Sequence, residues 1–205
     1  MSKGKIERKI AVIFATDVVG YSKHMEADES ETIHNLRECE AILTGLFEKY
    51  DGRLFNTGGD SFLAEFPSAV SAVECAVEFQ NAIKKRNASD EASVKLEFRI
   101  GINSGDVVKE KDNLLGDGVN IAARLEALAQ TNGITISKVI YDYVKGKTKY
   151  DFKDIGVQKV KLNEFHAFDL LLEPSQKRKI KRDRTVPKFL IASVLAVLLV
   201  LGVYF

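Results

Sequence analysis

Two aspartates offer the chain's clearest chemistry. Asp17 lies in FATDVVGYS (Phe14–Ser22), just past the apolar run Ile10–Phe14. Asp60 lies in RLFNTGGDSFLAEF (Arg53–Phe66), directly after Gly58-Gly59. An acid at a strand end, followed by Gly20 and the small Ser22, suits a tight turn into a helix. Free N–H groups and the positive end of the helix dipole there favour a phosphate. A second carboxylate converging on the same sheet end would hold Mg²⁺, which binds one or two carboxylates plus substrate phosphates.

These acids need elements to carry them. Arg53–Thr57 and Ser61–Phe66 alternate like two strands around the glycine pair, so a hairpin is expected with Asp60 at its tip. Glu29–Tyr50 repeats apolar residues at helical spacing (Ile33, Leu36, Leu43, Leu46, Phe47), and Asp51-Gly52 closes it. Pro67 suits the start of a second helix, with Ala69, Val73, Ala76, Val77 and Ile83 on one face. Val94–Ile102 reads as a strand, followed by a turn at Gly101 and Gly105. Gly116–Ala129 reads as a helix and Ile134–Ile136 as a strand. Ser137 caps the helix Lys138–Val144, and two strands follow around Asn163-Glu164. This order predicts an α+β fold, with helices on an antiparallel-rich sheet.

FATDVVGYS, FNTGGDSFLAEF, FRIGINSGDVV and LLGDGVNIAARLE, in this order and spacing, resemble the class III nucleotide cyclase catalytic domain over roughly Lys9–Leu172. The resemblance implies a ferredoxin-like core and cyclisation of a nucleoside triphosphate, with adenylate formation first in line. It implies two divalent cations, Mg²⁺ or Mn²⁺, on Asp17 and Asp60. The backbone of Phe14, Ala15, Thr16, Val18, Val19 and Gly20 would cradle phosphate oxygens. Asn120 and Arg124, four apart and so on one helix face, resemble the transition-state pair, with Asn orienting the ribose and Arg meeting charge on the α-phosphate. For Arg124 the plain alternative is a surface pair with Glu126. Lys161 aligns with a triphosphate-gripping lysine, and Lys159 is its rival on the same strand face. The family's metal acids and Asn/Arg pair come from different subunits, which implies a head-to-tail homodimer with two sites at its interface.

Base choice departs from the pattern. Many adenylate-making relatives carry lysine and aspartate or threonine where this chain has Asn56 and Asn113, and the guanylate-type glutamate and cysteine are absent too. An amide both donates and accepts, so several bases remain open to it. Two other readings stand beside the enzyme. One is an inactive homologue acting as a signalling partner; the other is a palm-type or diguanylate-making relative, although Gly58-Gly59-Asp60-Ser61-Phe62 only begins like that signature.

Composition divides the chain. Residues 1–172 hold 23 basic residues against 27 acidic ones, near −4, which does not suit nucleic acid. Residues 173–188 form a basic linker with seven Lys and Arg side chains. Phe189–Phe205 carries no charge over 17 residues, about 25 Å of helix against a bilayer core of roughly 30 Å. A membrane helix is expected there, with the Lys/Arg cluster placing the catalytic domain on the cytoplasmic side of the inner membrane. The polar start leads straight into a strand, so no signal peptide is expected. Cys39 and Cys75 read as buried thiols in a reducing compartment. His24, His34 and His166 form no ligand pattern.

Overall fold

The computed structural model describes residues 7–89, 92–160 and 163–173. The expected membrane helix, the linker beyond Glu173 and Lys161 lie outside these residues. Among the described residues no helix is long and apolar enough to cross a membrane.

The chain builds one mixed α+β layer structure around an open sheet. Its strands are β1 (Glu7–Val18), β2 (Arg53–Gly58), β3 (Ser61–Phe66), β4 (Phe98–Glu110), β5 (Asn113–Leu115), β6 (Ile134–Ser137), β7 (Asp151–Val160) and β8 (Asn163–Leu171). They run in the order β2-β3-β1-β4-β6-β8-β7, with β5 pairing β4 off this path. Among the described residues, only the β4–β6 pairing is parallel.

Helices α2 (Glu29–Lys49), α3 (Ala69–Asn87) and α5 (Lys138–Val144) lie on one face, and α4 (Asp117–Leu128) packs on β1 and β4 from the other. A short α1 (Tyr21–Ala27) precedes α2. Asp28 caps α2 by accepting from the Glu31 N–H at 3.0 Å, and Ser68 and Ser137 cap α3 and α5 in the same way. The strand period of two sends β1 to both cores. Val12, Phe14 and Val18 join the large core with Leu43, Phe47 and Phe79. Ala11, Ile13 and Ala15 join a smaller one with Val107, Leu114 and Ala122.

Two strand expectations are corrected. β1 runs through Val18, so Asp17 is within the strand and not beyond it. The predicted turn at Gly101 and Gly105 is absent, because β4 continues unbroken from Phe98 to Glu110. The glycines serve close packing. A Cβ on Gly101 would lie 2.2 Å from both the Ala122 carbonyl oxygen and the Glu126 nitrogen, and one on Gly105 would lie 3.1 Å from the Gly118 Cα. They let α4 rest directly on the sheet.

Candidate active site

Asp17 sits on the α4 face of β1, the second-last residue of the strand. Its neighbour in the ladder is Arg99 of β4. Arg99 Nε donates to Asp17 Oδ1 at 3.1 Å, and Nη2 donates to Oδ2. Thr16, buried on the other side of the strand, ties the same segment by donating its hydroxyl to the Arg99 carbonyl at 2.7 Å.

The β2–β3 turn brings the second acid to this end of the sheet. Gly59 takes a left-handed φ of 66° there, which glycine adopts without strain. Register then does the rest, since Thr16 pairs with Phe62, two residues past Asp60. The Asp60 carboxyl is raised above its usual range, first by burial and then by the charge on Asp17. Its own N–H, that of Val18 and the Arg99 charge oppose the rise.

A third acid arrives from α4. Glu126 Oε1 lies 3.2 Å from Arg99 Nη2 but completes no hydrogen bond with it. Burial, a hydrogen bond with Asp17 and the negative charge on Asp17 push the Glu126 carboxyl up to about 8. Arg99 is itself raised, chiefly by its hydrogen bond to Asp17. Three carboxyls thus crowd one guanidinium, with a buried carboxyl oxygen left unsatisfied. That excess of oxygen donors and negative charge fits a hard divalent cation. No group of three or more His, Cys, Asp or Glu side chains forms a ready metal cage among the described residues.

The sequence did not single out Arg99 or Glu126 for this role. The signal for Arg99 in the sequence is a charge at the intervening position of the alternating run Phe98–Ile102. Glu126 is not a surface partner of Arg124, the plain alternative the sequence offers: it forms its ion pair with Arg99.

Asn120 and Arg124 do share a face of α4, whose Gly118, Ala122 and Leu125 are buried against the sheet. Asn120 is exposed, and Arg124 is half-buried with its Nη1 buried and without a hydrogen-bond partner. Among the described residues, no hydrogen bond or ion pair joins either one to Asp17 or Asp60.

The segment expected to cradle phosphate divides in two. Phe14, Ala15 and Thr16 are buried between β3 and β4, and their peptide groups belong to the ladder, so they have no face open to a ligand. The Val19 N–H is committed to the Glu97 carbonyl at 2.8 Å. Gly20, at φ 68°, turns the chain into α1, whose start has no side-chain cap. The turn after Val18, rather than the strand, is where N–H groups remain for an anion. Lys159 is exposed and pairs with Glu164 at 3.4 Å.

Asn56 reaches the α4 face through a bulge. Leu54 pairs with Ala64, but the next pair is Asn56 with Leu63, so Phe55 is the extra residue. In unbroken register Asn56 would oppose Phe62 and point into the large core. Asn113 opens β5, and its Oδ1 accepts from the Leu114 N–H at 2.9 Å. Leu114 and Phe55, each adjacent in sequence to one of these asparagines, pack in the same small core.

The model for "Adenylate and Guanylate cyclase catalytic domain" matches residues 3–181. "Putative adenylate cyclase 3" of Rhizobium meliloti (strain 1021) is 45% identical over 163 residues, 78% of this chain and 28% of that protein. An "Adenylate cyclase" of Streptomyces coelicolor is 31% identical over 132 residues, 64% of this chain and 33% of that protein. The chain thus spans about a third or less of the length of these relatives. The crystal structure of an adenylate/guanylate cyclase/hydrolase from Silicibacter pomeroyi superposes with a TM-score of 0.75 at 32% identity, covering 82% of this chain and 99% of that one. The adenylyl cyclase CyaB from P. aeruginosa shares the fold at a TM-score of 0.72 and 23% identity, covering 82% and 96%. With a family match across most of its length, this chain belongs to the adenylate and guanylate cyclase catalytic domain family.

Proposed function

We propose that the chain cyclises a nucleoside triphosphate, ATP first, to the 3′,5′-cyclic nucleotide and pyrophosphate. The observation that carries this reading is the meeting of Asp17, Asp60 and Glu126 around Arg99 at one sheet end. A divalent pair held by Asp17 and Asp60 would supply a more acidic 3′-hydroxyl and a neutralised triphosphate. Arg99, once its aspartate faces cations, would have guanidinium N–H groups to offer phosphate oxygens. Arg124, with Nη1 unpaired, is suited to charge that develops on the α-phosphate, and Asn120 one turn earlier to the ribose. Donors of this kind typically contribute on the order of 10²–10³ in rate.

We infer a head-to-tail homodimer in which each site takes acids from one subunit and Asn120 and Arg124 from the other. What supports it is the family membership, together with the lack, among the described residues, of a hydrogen bond or ion pair from Asn120 or Arg124 to Asp17 or Asp60. Asp60→Ala and Arg124→Ala proteins, each inactive alone, are expected to regain partial activity when mixed. A mixed dimer that forms and stays inactive sinks the shared-site model. Supplying all four triphosphates with Mn²⁺ decides between ATP and the guanylate or pyrimidine alternatives, and the absence of any cyclic product would leave the inactive-partner reading. Lys161 remains the proposed triphosphate lysine. The charge-free run 189–205 behind its basic linker remains the proposed inner-membrane anchor, with the catalytic domain in the cytoplasm.

A further inference from the structure

We propose that Arg53 is a positioning residue for base recognition, latching the β4–β5 turn to β2 and so fixing the gap between the Asn56 and Asn113 amides. The inference rests on the cyclase reading and deepens it.

Arg53 stands opposite Glu65 in the β2–β3 ladder. Its Nε donates to Glu65 Oε1 at 2.6 Å, while Lys9 Nζ donates to Oε2 at 2.5 Å. With two cations on one carboxylate, the guanidinium plane is set. Arg53 Nη1 then donates to the Asp112 carbonyl at 2.8 Å. That carbonyl belongs to the turn joining β4 to β5, where Lys111 holds a left-handed φ of 57°. The next residue is Asn113.

Strand β5 is only 3 residues long and pairs with β4 alone. Beyond β4 it is held by the Leu114 side chain, packed in the small core with Phe55 and with Ala122 of α4, and by the Arg53 bond. Asn56 is three residues along β2 from Arg53, on the strand the latch holds. Asn113 spends Oδ1 on the Leu114 N–H, so its NH₂ group is what it offers a base edge, as a donor to a ring acceptor. A planar fork can bond a carboxylate and a carbonyl together, whereas a lysine ammonium would keep one of the two.

The test measures kcat and KM with ATP and GTP for wild type, Arg53→Gln and Arg53→Lys, alongside melting temperature and amide exchange at Leu114. Arg53→Gln is expected to raise KM for the preferred triphosphate about fivefold to tenfold, the loss of roughly one hydrogen bond's worth of positioning. It should narrow base preference by a similar factor, hold kcat within about twofold, and speed Leu114 exchange, with Arg53→Lys falling between. In an Asn113→Ala background the same change should add less than about twofold, because the two residues act on one contact. Unchanged KM, base preference and exchange overturn the latch, as does a full additive effect in that background. A wild-type protein that cyclises none of the four triphosphates overturns the cyclase reading instead.

Discussion

Arg99 and Asp17 face each other across the β1–β4 ladder and are joined by two hydrogen bonds from one guanidinium to one carboxylate. The pair holds the acid in place before any cation arrives, and Glu126 shares the same guanidinium as an ion pair at 3.2 Å.

If the proposed cations bind there, the stability of the site is expected to depend on divalent ions. Arg99→Gln leaves three partly buried carboxyls together and is expected to cost about 1–3 kcal/mol in the presence of a chelator. Mn²⁺ should recover much of this loss, since a ligand that binds only the folded state stabilises it. Thermal melts of wild type and variant, with EDTA and with Mn²⁺, check this. No rise in melting temperature with Mn²⁺ in either protein would show that the cluster takes no cation.

Gly101 is the contact point between α4 and the sheet. Gly101→Ala puts a methyl group into the backbone of Ala122 and Glu126. Neither neighbour is a side chain that can swing away, so the helix must move as a body. We expect destabilisation of about 1–3 kcal/mol or more, and a fall in cyclase activity larger than partial unfolding explains, because α4 carries Asn120, Arg124 and Glu126. Denaturant melts beside activity at low temperature check both parts. A variant as stable and active as wild type would mean that α4 does not sit this close.

Two phenols give the large core a signature at high pH. Tyr50 donates to Glu78 at 2.5 Å, and Tyr150 donates to Glu74 at 2.8 Å. The hydrogen bond to Glu78, then burial and its charge, push Tyr50 up to about 12. Burial, then Glu74, raise Tyr150 as well. In the unfolded chain a tyrosine loses its proton near pH 10. The contribution of these groups is therefore complete below about pH 10 and is lost progressively above it, that of Tyr50 by about pH 12, because the unfolded chain releases protons there that the folded one retains. The double variant Tyr50→Phe, Tyr150→Phe should be less stable than wild type at pH 8, yet lose less stability across that window. Identical slopes of melting temperature against pH would refute the assignment.

Much of this was legible along the chain. Helix α2 was readable because its apolar residues recur at helical spacing, and the β2–β3 hairpin because Gly58-Gly59 interrupts two alternating runs. Cys39 and Cys75 were expected inside and are fully buried, with burial raising their thiols to about 11 and about 12. Gly101 was misread because a turn glycine and a close-approach glycine look identical in sequence; only the helix above the strand separates them.

What the sequence determined by itself was local: the acids at 17 and 60, the i, i+4 pair at 120 and 124, and the elements that carry them, since periodicity and turn chemistry act over a few residues. What only the tertiary structure decided was long-range. Arg99 is 82 residues from Asp17 and meets it through strand register. Glu126 turns to that pair and away from Arg124 because α4 lies flat on two glycines. Asn56 reaches the site face because one extra residue, Phe55, reverses the pleat before it. Register, bulge and helix approach depend on which segments pack together, and one segment read alone does not contain that information.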